Sequence, residues 1–129
     1  MSRNVPGWIL AYLAAGAIGA RLLVKHGAAD GAALQGAAGT DALIGVSTDI
    51  PASTGETVDV VRSGVTPVVY GGNVTRGDPL TSDASGRAIA AVPGVGATLR
   101  IIGLAEVSGV LGDFGSVLIA PAIIRGPAS

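Results

Sequence analysis

The sequence contains no cysteine, which excludes disulfide staples, thiolate zinc sites and thiol nucleophiles. Rings are scarce: one Trp, one Phe and two Tyr in 129 residues. A single histidine, His26, leaves a metal or a general base without a second imidazole, and the nearest acid in sequence is Asp30. Charge is thin as well, at 13% of residues, with 8 basic side chains against 9 acidic ones and a formal net charge of -1. That balance offers no basic surface to nucleic-acid phosphates. There is no long hydrophobic run either. The most apolar stretch, Trp8 to Ala20, is thirteen residues, against the roughly 20 that a spanning helix needs. It is bounded by Pro6 and Arg21 and interrupted by Gly16 and Gly19, which weaken a helix and suit turns.

What remains is small, aliphatic and turn-rich. Hydrophobic residues make up 49% of the chain and there are 21 glycines, with a mean hydropathy of +0.60. Such a composition is too apolar and too weakly charged for disorder. A mass of 12.5 kDa allows one domain. A core of Ala, Val, Ile and Leu buries little area per side chain, at about 25 cal/mol per Å², and few charges are available to coat a lone monomer. The composition points to surface covered by other subunits.

Past residue 20, short apolar runs rich in Val and Ile recur between Gly, Pro, Asp and Ser. Strands are expected at Arg21–Lys25, Leu43–Ser47, Thr57–Arg62, Val65–Tyr70, Ala88–Ala91, Thr98–Ala105 and Ser116–Ile124. Leu80–Ile89 reads as a hairpin turned at Asp83–Gly86. Pro67 cannot donate to a ladder and belongs at an edge or a bulge. Trp8–Leu13 fits a helix or a strand, and Ala28–Gly39 a strand with its loop. The expected fold is mainly β, a small single-domain barrel or sandwich of β-tulip type, with an N-terminal apolar arm or first strand over 1–19 and the β domain over 20–129.

No catalytic, cofactor or metal constellation emerges. The carboxylates are scattered singly beside Gly, Ser or Pro, the distribution of turn residues. Pro93–Thr98 lacks the third glycine of a dinucleotide loop, Gly71–Gly77 lacks the Lys-Ser/Thr of a phosphate loop, and Gly45–Asp49 misses the second glycine of a nucleophile elbow. Asn73-Val74-Thr75 matches a glycosylation acceptor, and Arg76-Gly77-Asp78 matches a tripeptide read by some cell-surface receptors. The first matters only in a eukaryotic secretory route, and the second is explained just as well as a turn.

Order and spacing add a resemblance. The segment Tyr70–Ala88 (YGGNVTRGDPLTSDASGRA), with Ala42–Ser47 (ALIGVS) and Gly55–Val60 (GETVDV), resembles the tailed-bacteriophage capsid cement, or head decoration, family. Ala17–Lys25 is similar to that family's opening strand, and Ile101–Glu106 and Ser116–Pro121 continue the likeness. The resemblance implies a β-rich structural virion protein without enzymatic activity or cofactor. It implies a homotrimer on the outside of the expanded icosahedral head, where it binds the major capsid protein and clamps neighbouring subunits. Other readings are a tail or adhesin β-module of the virion, or a small membrane-anchored protein. Within the leading reading, Trp8, Ile9, Tyr12 and Leu13 are the candidate interface anchors, because aromatic residues concentrate at contact hot spots. The competing reading has Trp8 and Tyr12 filling the chain's own core. Arg76 and Asp78 are secondary contact candidates, set against a plain surface turn.

Overall fold

A computed structural model of the chain describes residues 5–128; the first four residues of the N-terminal segment lie outside that range. Eleven strands are described: β1 (Val5–Pro6), β2 (Ile9–Ala14), β3 (Leu23–His26), β4 (Ala32–Gln35), β5 (Leu43–Ser47), β6 (Thr57–Val61), β7 (Gly64–Val69), β8 (Pro79–Ser82), β9 (Ala88–Ala90), β10 (Thr98–Ala105) and β11 (Phe114–Arg125). The fold is all β, as the punctuated Val/Ile runs require. Strands β2-β4-β3-β5-β6 close into a five-stranded barrel, and β1-β7-β11-β10-β8-β9 form a six-stranded sheet. Within the barrel only β2 and β4 run parallel.

The sheet packs on the barrel, and one wall serves both cores. Leu23, Leu43, Val46 and Val61 point out of the barrel into a cluster with Val68, Tyr70, Leu80, Ile102, Val117 and Ile119 of the sheet. Their strand neighbours Val24, Ile44 and Val60 point inward to Ala14, Ile18, Ala33 and Val58. Every residue of β5 is therefore buried, which explains a continuous Leu-Ile-Gly-Val run where a half-exposed strand would alternate. Gly45 sits at the closest approach within this wall. A Cβ there would lie 2.2 Å from the Val61 carbonyl oxygen, so no side chain fits. Main-chain bonds stitch the two layers: Leu23 N–H donates to Gly86 O at 2.7 Å, Val69 N–H to Arg21 O at 2.9 Å and Arg100 N–H to Gly39 O at 2.8 Å.

Most expected strands lie where the apolar runs are, with informative shifts. β3 begins at Leu23 rather than at Arg21, because Arg21 takes φ 58°, a left-handed conformation that no strand contains. The Ala/Gly stretch 28–39 contributes β4, whose Ala33 fits the narrow barrel interior. Trp8–Leu13 resolves to strand, since β2 is registered against β6 from Ile9↔Val61 to Leu13↔Thr57. Pro67 lies in β7 beyond the two-residue reach of β1, so its missing N–H faces an unpaired side. The β8–β9 hairpin turns at Asp83–Gly86 as expected, with Asp83 accepting from Ser85 N–H and Arg87 N–H, both at 2.8 Å.

Tyr70 anchors the sheet side of the core. It is fully buried, its hydroxyl donates to Val107 O at 2.6 Å, and its ring lies where a Gly115 Cβ would be, 2.0 Å away. Burial first, then the carboxylates of Asp78 and Glu106, push its phenol above the ordinary 10.0. The folded state thus holds this proton more tightly than the unfolded chain. Stability is unaffected below pH 10 and falls as pH climbs past it toward the folded value. Thermal melts between pH 8 and 11 are expected to show that alkaline loss in the wild type and a flatter profile in Tyr70→Phe. At neutral pH the same variant is expected to be less stable by about 1–2 kcal/mol, having stripped a buried carbonyl of its donor.

Candidate interaction surfaces

The search for chemistry ends quickly. Among the described residues no group of three or more His, Cys, Asp or Glu is placed to hold a metal, and His26 lies exposed at the end of β3. The carboxylates are largely committed to their own turns. Asp41 accepts from Ala37 N–H and Ala38 N–H and pairs with Lys25 at 3.3 Å. Asp78 accepts from Thr75 N–H, Asp113 from Val110 N–H and Glu56 from Ser53 N–H. An open recess of 420 Å³ beside the β10–β11 ribbon is lined by Leu43, Arg100, Ile101, Pro121, Ala122 and Ile123. It lacks the converging polar groups that orient a small ligand.

The unusual feature is what lies outside. The accessible surface is 6302 Å², close to the roughly 6,200 Å² a compact monomer of this mass exposes. The chain has therefore finished its own core, yet among the described residues thirteen large hydrophobic ones remain exposed. Two sets are contiguous by register. The first is on the outer face of the sheet, where Val65, Leu118, Leu104 and Pro79 stand opposite one another across β7, β11, β10 and β8. Four residues along, Val69 faces Phe114, which is 63% exposed.

The second set runs along β2, with Ile9 and Leu13 on its outer face and Trp8 at the barrel mouth. Trp8 is 74% exposed, Leu13 54% and Ile9 47%. Trp8 is held by its backbone: its N–H donates to Ser63 Oγ at 2.7 Å and its carbonyl accepts from Arg62 N–H at 2.7 Å. The indole is thus displayed on a fixed main chain. Tyr12, on the same face of β2 as Trp8 but deeper along the strand, is half-buried against the barrel core, with its hydroxyl accepting from the Arg62 guanidinium. Of the four N-terminal candidates, three lie on the surface and one supports it from within.

Arg76 and Asp78 are elsewhere. Their turn packs beside the β10–β11 connection, where Arg76 N–H donates to Ser108 Oγ at 2.9 Å. The turn leads into β8, whose first residue Pro79 stands level with Val65 of β7 across β11 and β10, so it is set apart from Trp8 across the width of the sheet. Asp78 uses its carboxylate to close the turn, in which Gly77 takes φ 95°, while the Arg76 side chain is exposed. Sequence reasoning missed Leu10 and Arg62 at the barrel mouth and the whole outer sheet face. Phe114 and Leu118, four apart on one face of β11, are exposed, while Ser116 between them is buried; none of the three carries charge.

Fold and surface together define a small all-β module with exposed apolar residues and, among the described residues, no metal-holding cluster. The chain belongs to the phage cement protein family, whose model matches residues 9–110, and is thus a structural protein of the bacteriophage virion. Among solved structures, the N base of the bacteriophage phi29 head fiber gp8.5 shares the fold: TM-score 0.63 at 18% identity, over 88% of this chain and 93% of that one. Comparison with curated protein sequences finds no match.

The exposed and supporting roles separate by mutation. Trp8→Ala is expected to change unfolding free energy by less than about 0.5 kcal/mol, as for an exposed side chain. Tyr12→Ala is expected to cost about 2 kcal/mol or more, by opening a cavity in the barrel. Urea unfolding of both variants checks the contrast.

Proposed function

We propose that this chain cements an icosahedral phage head from the outside, as a homotrimer that binds the major capsid protein of the expanded shell and bridges its subunits. The supporting observation is the exposed apolar surface on a chain that has already closed its own core. Contiguous patches of this kind are rare on monomers and mark association sites. In this reading the segment 1–19 is the anchoring unit. Trp8, Ile9 and Leu13 supply the apolar contact, Tyr12 holds the strand from within the barrel, and the Arg76–Asp78 turn makes a lesser contact where it leads into β8. The outer sheet face, an apolar row across four strands, suits contact between copies.

The work done is thermodynamic. A protein that binds the assembled lattice, and not its free subunits, shifts the assembly equilibrium by mass action. Repeating the same patch around a symmetry axis makes each further contact intramolecular, so weak single contacts sum to a tight grip. No bond is made or broken and no cofactor takes part.

Co-sedimentation tests the reading. The purified chain is expected to run as a trimer in sedimentation velocity and to pellet with expanded heads while leaving free capsid subunits in the supernatant. A monomer that ignores expanded heads, or one that labels tails in micrographs, contradicts it.

A further inference from the structure

Arg62 follows the last residue of β6 and closes the mouth of the barrel. Its guanidinium donates to Tyr12 Oη, a neutral acceptor. Its Nε is buried and has no hydrogen-bond acceptor. The ion pairs among the described residues are Lys25–Asp41 and Arg87–Asp83, and neither involves Arg62. The nearby acids are directed elsewhere: Asp59 of β6 stands opposite Ala11 and is exposed, and Glu56, just before β6, accepts from Ser53 N–H. A guanidinium has five donors in a planar fork and cannot discharge by losing its proton. Partly withdrawn from water and given no carboxylate, it carries an unmet demand for an anion.

The surroundings say what form that anion takes. Arg62 N–H bonds Trp8 O, and strand alternation places Trp8 and Leu10 on the face of β2 that Arg62 also uses. Trp8 is 74% exposed and Leu10 43%. The mouth is thus a cation rimmed by bare hydrocarbon and an indole, a poor seat for a hydrated free ion and a good one for an acid delivered on an apolar segment.

We infer that the barrel mouth is a receptor for one Asp or Glu side chain of the capsid protein, carried on an apolar stretch, with Arg62 as its paired cation and Trp8 and Leu10 enclosing the contact. This rests on the capsid reading above and gives the partner its chemistry. Burial of the pair by the rim would shield it from solvent, so that the fork, rather than net charge alone, sets the affinity.

The test titrates the full-length wild type, Arg62→Lys, Arg62→Met and Arg62→Gln onto expanded heads at several salt concentrations, after circular dichroism melts confirm folding. Arg62→Gln keeps a donor for Tyr12 Oη, so one uncharged variant remains readable if Arg62→Met does not fold. The uncharged variants are expected to bind about tenfold more weakly or worse, with a shallower dependence on salt. Arg62→Lys is expected to fall between them and the wild type while keeping the wild-type salt dependence. Uncharged variants that bind as the wild type does, with the same salt dependence, overturn the inference and leave the capsid reading standing. Failure of the wild type itself to bind heads overturns both.

Discussion

The structure depends on a wall of three strands that is buried on both faces. Strands β3, β5 and β6 close the barrel on one side and receive the six-stranded sheet on the other, through paired neighbours such as Leu23 with Val24 and Val60 with Val61. A small domain without disulfides, and with few rings, has limited apolar area to hide. Making one wall serve two cores extracts more burial from each residue. It also explains the close tolerance at Gly45, where the Val61 carbonyl occupies the place of a side chain.

With both cores complete, the remaining hydrophobic residues are surplus to folding. Two groups of them, on the outer sheet face and along β2, are held by main-chain bonds that do not depend on the side chains they display. Trp8 illustrates the arrangement: its N–H and carbonyl are both bonded while its indole stands in solvent. A preorganised patch loses little conformational entropy on docking, which favours affinity for a given area. In the proposed role this rigidity lets a 12.5 kDa chain reinforce a shell through contact alone, and it leaves turns such as Asp78 and Asp83 to bind their own backbone rather than a substrate.

Much of this was legible in the residues themselves. The Val/Ile runs marked Leu43–Ser47 and Thr98–Ala105 at the bounds the strands occupy, because burial and β-branched preference agree there. The Asp83–Gly86 turn was legible because Asp and Gly each meet a local backbone need. Two features were not. Arg21 adopts a left-handed φ that only the packing of the following strand imposes, so β3 starts later than its apolar run suggests. Closure of the barrel rests on a parallel pairing of β2 with β4 between residues about twenty apart, and strand propensity carries no information about partner. At the contact surface, the N-terminal apolar residues stood out by composition. Arg62 did not, because its significance lies in a missing counter-ion and not in its neighbours along the chain. Whether Tyr12 faced in or out was decided by a single register step, since a shift of one residue exchanges the two faces of a strand.

A reconstruction of the mature head at side-chain resolution tests the central claim most directly, that the apolar side chains left outside this chain's own cores are contact surface. The account predicts density for the barrel on the outer shell, with Trp8 buried against a capsid subunit. Trp8 standing in solvent on a fully assembled head, or heads bearing no such density, would contradict it.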